Sequence, residues 1–249
     1  QLQQWPVLML SEGMLQGINA VSYEVDWSHP CKAVFASLLQ SNSDRTTLLL
    51  AHEDQRLELR MINPSTGDTI GAINDLEAAF VDPIRAQAGL PPMTPDGRMI
   101  DLNELLAIAN NDTTILARRD GAVLIVNGWG SDMTLSQLTL PLRVVHDLEA
   151  WPDGFLAVGP RLDAPNALAV SNANPVAYQV DSSTGDMDRI EWPDAIGHAQ
   201  WIARSPLNDL LLGGREGIAM VSWPDRTPIW MNTSPQLESS RKGWATGEA

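Results

Sequence analysis

The sequence predicts an all-β chain built from four consecutive four-stranded units, with one short helical insertion. Three observations carry this expectation. β-patterned hairpins recur along the chain. The strand after each hairpin ends in a similar turn. The spacing of the recurrences reduces to a single period.

The hairpins are seen by placing three segments side by side: Asp44-Arg45-Thr46-Thr47-Leu48-Leu49-Leu50-Ala51-His52-Glu53-Asp54-Gln55, Asp112-Thr113-Thr114-Ile115-Leu116-Ala117-Arg118-Arg119-Asp120-Gly121 and Asp209-Leu210-Leu211-Leu212-Gly213-Gly214-Arg215-Glu216-Gly217. Each opens with a turn Asp, runs through an apolar strand to a small residue, and reaches an acid three residues later. A turn residue and a new strand follow, which is the pattern of a hairpin. A fourth copy begins at Trp151-Pro152-Asp153-Gly154-Phe155-Leu156-Ala157-Val158-Gly159. Its turn is longer, from Pro160 to Pro175, and the next strand resumes at Val176.

The third strands also end alike. Met61-Ile62-Asn63-Pro64-Ser65-Thr66-Gly67-Asp68 matches Gln179-Val180-Asp181-Ser182-Ser183-Thr184-Gly185-Asp186. Gly, Asn, Asp and Pro supply the backbone conformations and side-chain acceptors that such turns need. A short fourth strand is expected after each turn, as at Asp188 to Trp192 and Pro228 to Met231.

The equivalent small residues Ala51, Ala117, Gly159 and Gly213 are 66, 42 and 54 residues apart. Removing an insertion of about 22 residues and a long turn of about 12 leaves a period of roughly 42, the length of a propeller blade. The four-strand rhythm agrees. The expected fold is therefore a β-propeller with four recognisable blades, at about residues 32–72, 96–141, 143–193 and 198–232. Residues 1–31 carry a further strand pattern at Gly17 to Asp26, either part of a fifth blade or a strand that closes the ring. Residues 236–249 read as a polar tail. A small propeller, a partial ring and a piece of a longer parent chain all stay open.

The insertion, about 72–95, has a different texture. Ile73 to Gly89 reads as a short helix, with Asn74-Asp75 able to cap it and Leu76, Phe80 and Ile84 near a 3.6 spacing. Pro83 would kink or split it. A second short helical stretch is expected at Leu102 to Ala109.

Composition narrows the function classes. The chain has 249 residues, of which 44% are hydrophobic and 19% charged, a globular balance. Its net charge of -15 makes free nucleic acid an unsuitable partner, because phosphate binding needs a basic surface. Cys31 is the one cysteine, which rules out an intramolecular disulfide and a cysteine-based zinc site. No run approaches the roughly 18 apolar residues of a membrane-spanning helix. Lysine occurs only at Lys32 and Lys242. The first residue, Gln1, reads as the edge of a processed product or of a fragment. Nine Trp against three Phe and two Tyr is a balance that recurs in extracytoplasmic all-β proteins, so a periplasmic or secreted location is expected.

The units resemble β-propeller repeats of the PQQ-like or YVTN type. The residues that carry the resemblance are Asp181-Ser182-Ser183-Thr184-Gly185 with Trp192, Asn63-Pro64-Ser65-Thr66-Gly67, and Pro152-Asp153-Gly154. A PQQ-like blade reads Ala-x-Asp-x-x-Thr-Gly-Lys-x-x-Trp. Here Gln179 stands for the Ala, Asp186 for the Lys, and Trp192 falls three residues late. The resemblance implies a scaffold fold, and no cofactor is expected.

The candidate chemistry is sparse. His146 and His198 fall near the starts of two blades' first strands, so His146-Asp147 and His198, with Asp194 near in sequence, form the candidate acid–base or catalytic set. Their other reading is as ordinary strand-end histidines. His29 and Cys31 could supply two metal ligands, but no second pair accompanies them. His52-Glu53-Asp54 reads as a solvated hairpin turn. Asp186 and Asp188 are the candidate metal ligands, in an Asp-x-Asp after a Gly turn, without the further oxygens a calcium loop supplies. Trp129, Trp151 and Phe80 are the candidate partner-binding residues. The tryptophans read either as packing between blades or as an exposed aromatic rim. No nucleophile elbow, zinc-protease motif, phosphate loop or dinucleotide fingerprint occurs.

The leading expectation is a non-catalytic propeller that acts as a protein–protein scaffold, in a larger extracytoplasmic assembly. One alternative is an enzyme with a channel-mouth site, either a lactonase-like hydrolase or a quinone-dependent dehydrogenase. The other is a carbohydrate-binding module.

Overall fold

The computed structural model describes residues 6–41, 44–81, 104–110, 112–162, 175–205, 207 and 209–233. Within them the chain is almost entirely β. A three-stranded sheet comprises β1 (Val7–Ser11), β2 (Met14–Ile18) and β3 (Val25–Pro30). Four sheets of four strands follow. The first holds β4 (Ala33–Ser41), β5 (Thr46–His52), β6 (Leu57–Ile62) and β7 (Thr69–Ile73). The second holds β8 (Leu105–Asn110), β9 (Thr113–Arg118), β10 (Ala122–Asn127) and β11 (Thr134–Thr139). The third holds β12 (Asp147–Trp151), β13 (Gly154–Pro160), β14 (Pro175–Asp181) and β15 (Met187–Glu191). The last holds β16 (Ala199–Arg204), β17 (Leu210–Gly214), β18 (Ile218–Val221) and β19 (Pro228–Asn232). Every sheet is a meander in which sequence neighbours pair, the blade unit of a β-propeller.

The middle strands explain the sequence texture. β5 is buried at six of its seven positions and β13 at all seven, so both faces of these strands are covered. A strand covered on both faces reads as a continuous apolar run rather than an alternation. The last strands are the opposite: all five residues of β19 are exposed.

The recurrent turn has a physical role in both places where it was recognised. Asp181 Oδ1 accepts from the Ser183 and Thr184 amides at 2.7 and 2.9 Å and from Ser183 Oγ at 2.6 Å. Asn63 Oδ1 accepts from the Ser65 amide at 2.9 Å. Both turns then place a glycine in the left-handed region, Gly185 at φ +78° and Gly67 at φ +75°. A side-chain acceptor followed by a residue free to adopt positive φ is what the Asp/Asn-x-Ser/x-Thr-Gly pattern encodes.

The helix α1 (Leu76–Val81) begins where expected, with Asp75 Oδ1 accepting from the Ala78 amide at 2.9 Å. The rest of the expected helical stretch, including Pro83 and Ile84, lies outside the described residues. Two expectations are corrected. Leu105 to Ala109 is not helical: these residues form β8, whose backbone groups are satisfied by pairing with β9. A short apolar run fits helix and strand equally by pattern, and the neighbouring strand decides. Gly17 to Asp26 is not one strand. It is broken between β2 and β3 by a turn in which Asn19 Oδ1 accepts from the Val21 and Ser22 amides at 3.0 and 3.1 Å.

The chain divides into two compact units, residues 1–114 with 124–137, and residues 115–123 with 138–249. In the first unit, Leu15, Trp27, Cys31, Ala33, Leu48, Leu50 and Ile62 form a core that joins the three-stranded sheet to β4–β7. In the second, Trp151, Leu156, Ile190, Trp192, Ile202, Leu212 and neighbours join β12–β15 to β16–β19.

Candidate functional site

The structure brings the His146–Asp147 segment and the start of β16 together, within the second unit. His146 Nδ1–H donates to the Ala199 carbonyl at 2.6 Å, next to His198 in the chain. Asp147 Oδ2 accepts from the Ile202 amide at 3.1 Å. Both side chains therefore bond the backbone of a neighbouring first strand. The His198 backbone carbonyl accepts from the Arg215 amide at 2.9 Å, and its side chain is half-buried. This arrangement pins two successive sheets to each other.

In the Asp-x-Asp pair, the Asp188 side chain is also engaged. Asp188 binds the Arg226 guanidinium, which donates as well to the Arg189 carbonyl at 3.0 Å and lies 5.2 Å from the Trp223 ring centroid. Arg226 thus supplies the counter-charge of Asp188. Among the described residues, no three His, Cys, Asp or Glu side chains gather to hold a metal ion.

Of the partner-binding candidates, Trp151 and Phe80 are buried and Trp129 is half-buried. Trp151 is 4% exposed and Phe80 6%. Trp151 stacks edge-on with Trp223 at 5.2 Å, and Phe80 lies on the buried side of α1, where its carbonyl accepts from the Gln137 side chain. Trp129 is half-buried and covers Gly71 of β7: a Cβ there would stand 3.1 Å from the ring. Its indole Nε1 is buried with no hydrogen-bond partner among the described residues. Trp27, Trp192 and Trp201 are buried too. Their rings need apolar cover over a large area, which the space between sheets supplies. Trp230, at 43% exposed, is the exception among these. Among the described residues, most tryptophans therefore follow the packing reading rather than that of an exposed rim.

A further correction concerns His52. It is not in a solvated turn but ends β5, 8% exposed. Its Nε2–H donates to Glu58 Oε2 at 2.9 Å, and Arg60 Nε donates to Glu58 Oε1 at 2.6 Å. Glu58 is 4% exposed. Burial opposes the charge on Arg60, yet the hydrogen bond and charge of Glu58, with a smaller contribution from Cys31, hold the guanidinium above its ordinary value. The sequence signal was available: Glu58 and Arg60 interrupt the otherwise apolar β6, Leu57-Glu58-Leu59-Arg60-Met61-Ile62.

Asp181 provides a pH-dependent test. The Ser183 hydroxyl, followed by the Thr184 and Ser183 amides, holds its carboxyl below the usual carboxylate range. A depressed folded value means that the stabilisation is present above the ordinary carboxylate range and is lost as pH falls through the folded value. Asp181→Ala is expected to be less stable than the wild type at neutral pH, with the difference shrinking in acid. Urea midpoints across pH check this; a difference that grows in acid contradicts it.

The surface that the sequence did not single out is apolar. Val34, Phe35 and Leu38 of the edge strand β4 are 60%, 47% and 58% exposed. With Leu8 and Leu10 of β1, Leu15 and Leu48 they line a hollow of about 700 Å³ within the first unit. Its signal was the run Ala33-Val34-Phe35-Ala36-Ser37-Leu38-Leu39, which lacks the charges that usually blunt an edge strand.

No protein-family model matches the chain, and no curated protein does. Solved structures resemble it in fold. A chain of the mitotic checkpoint complex aligns with a TM-score of 0.52 and 11% identity over 91% of this chain and 60% of that one. Hsv2 of Kluyveromyces lactis aligns with a TM-score of 0.50 and 6% identity over 91% and 58%. BBS1N, from a complex with ARL6DN, gives 0.49 and 11% over 92% and 64%. The chain spans less than two thirds of each of these chains. With the sheet topology, the likenesses to the checkpoint-complex chain and to Hsv2 establish the β-propeller fold.

Proposed function

We propose that this chain is a non-catalytic β-propeller that binds another protein and serves as a scaffold. One observation carries the reading. The side chains with candidate chemistry, His146, Asp147 and Asp188, are bonded to backbone or to Arg226, while large apolar side chains stay exposed on β1, β3 and β4. Contiguous exposed apolar surface is the mark of an interaction site. The mitotic checkpoint complex, which contains a chain of the same fold, is in keeping with this use of a propeller. The Asn63-to-Gly67 and Asp181-to-Gly185 turns support a repeat of the PQQ-like or YVTN kind, and the Trp-rich composition supports an extracytoplasmic assembly.

The test is purification of the tagged chain from its native cell at low salt, followed by reconstitution with the purified companion. A stoichiometric complex that re-forms from the purified components is the expected result. A chain that runs alone and monomeric at every salt concentration overturns the reading.

A further inference from the structure

The turns of the three-stranded sheet tell which strands of a blade it holds. Asn19 opens the β2–β3 turn, its Oδ1 accepting from the amides two and three residues on at 3.0 and 3.1 Å. Asp181, between β14 and β15, does the same at 2.7 and 2.9 Å. The Tyr23 amide donates to the Asn19 carbonyl at 2.9 Å, as Gly67 does to Asn63 at 2.7 Å, Gly185 to Asp181 at 2.9 Å and Arg226 to Ser222 at 2.9 Å. All four donors have positive φ, from 57° to 78°. The Asn63, Asp181 and Ser222 turns join the third strand of a sheet to the fourth, so β2 and β3 are a third and a fourth strand. β1 is then a second strand. Its turn, Glu12-Gly13, matches Asp120-Gly121 and Glu216-Gly217, which join second strands to third. Among the described residues β1 pairs with β2 alone, and no strand fills the place of a first strand along its other edge.

What a first strand does is visible in the second unit. There β12, the first strand of its sheet, is tied to β16, the first strand of the next, by the His146 and Asp147 bonds to Ala199 and Ile202. Ile202, opposite Leu212, is fully buried. Leu38 of β4 holds the same register position, opposite Leu48, yet is 58% exposed. The hollow of about 700 Å³ lies where the neighbour of β4 would stand, between Val7, Leu8 and Leu10 of β1 and Val34, Phe35 and Leu38 of β4. β1 borders it with backbone amides and carbonyls that no strand pairs among the described residues. An extended segment satisfies both needs, with ladder hydrogen bonds to β1 and alternate side chains in the hollow.

We propose that the edge of β1 takes, as the missing first strand, an extended segment of a partner protein. The segment runs antiparallel to β1 and carries apolar residues at every second position. The assignment rests on the scaffold reading and names the site and the form of that partner. The four complete sheets set the occupant as a strand, because each has one at this place. Each of those first strands holds at least three apolar residues within five. No five-residue stretch of 1–6 or 234–249, on either side of the described sheets, does so. The strand therefore comes from another polypeptide.

Benzoylphenylalanine placed at Leu38 of the full chain, in its native cell, is the probe, with the same group at the exposed Ile229 of β19 for comparison. The expected result is an adduct at Leu38 with one other polypeptide, at a segment of alternating apolar residues. A synthetic peptide of that segment is expected to bind the purified chain and to slow amide exchange across Val7–Ser11 at least about tenfold. Methylating every second amide of the peptide is expected to abolish binding for one set and spare it for the other, because only one edge of an added strand pairs with β1. Leu38→Glu is expected to weaken peptide binding at least about tenfold, with an unchanged urea midpoint to show that it folds. Peptide binding without slower exchange in β1, or equal effects of the two methylated sets, overturns the proposal. An adduct with a second copy or with another part of the same chain overturns it as well. Adducts at Ile229 alone overturn it and leave the scaffold reading standing, while none at either position removes both.

Discussion

Trp27→Ala is expected to release the three-stranded sheet from β4–β7, at a cost of about 4 kcal/mol. Three interactions concentrate on this ring. It lies over Gly17, its cross-strand partner in β2, and over Gly67 in the β6–β7 turn, where an added Cβ at either glycine would overlap the ring. Its Nε1–H donates to the Pro64 carbonyl at 2.8 Å in a buried setting. Its neighbour His29 packs 5.6 Å away and bonds the Thr66 carbonyl at 2.9 Å through Nε2. Truncation to Ala removes a large apolar contact, opens space that two glycines cannot fill, and leaves a buried carbonyl without its donor. Hydrogen exchange over residues 6–31 is the measurement, because it reads opening of this sheet locally. Trp230→Ala is the comparison, since Trp230 is 43% exposed and its removal is expected to cost under about 1 kcal/mol. Equal protection in the two variants would show that Trp27 does not hold the sheet.

Glu58→Ala is expected to cost a similar amount, about 4 kcal/mol, for a different reason. The Glu58 carboxylate is shared by His52 and Arg60 inside β5 and β6. Without it, the His52 ring stays buried with both nitrogens lacking partners, since its Nδ1 already has none among the described residues. Arg60, with its side chain 19% exposed, keeps a charge that burial opposes. Glu58→Gln is expected to cost less, because its amide retains an oxygen for Arg60 while losing the charge. The triple replacement of His52, Glu58 and Arg60 by Leu is expected to regain most of the loss, because apolar residues carry no desolvation penalty. Urea unfolding of the three variants orders them. A triple variant no more stable than Glu58→Ala would show that the cluster contributes more than its members' burial costs.

The Asn63-to-Gly67 and Asp181-to-Gly185 turns were legible because each is built from residues within five positions of one another, acceptor and amide together. The middle strands were legible for a related reason, since continuous burial leaves continuous apolar sequence, as in β13. The candidate site was far less so. His146 and Asp147 were noticed as titratable groups, but their partners, Ala199 and Ile202, lie more than fifty positions away and contribute only backbone. Backbone acceptors and donors exist at every residue, so nothing in the sequence marks them. The β8 segment fits a helix as well as a strand by pattern, because five apolar residues in a row carry no period, and pairing with β9 chose the strand.

By itself, then, the sequence determined the repeat, the meandering strands and the chemistry of the turns, because all of these follow from local alternation and local hydrogen bonding. It also determined the net charge of -15. Only the tertiary structure decided which tryptophans are buried, that Asp188 belongs to Arg226, that Glu58 holds His52 and Arg60 together, and that β2 has one buried face and one half-buried face. Burial and pairing depend on what a distant stretch of chain brings alongside. Strand period states which residues share a face but not whether another sheet lies against it.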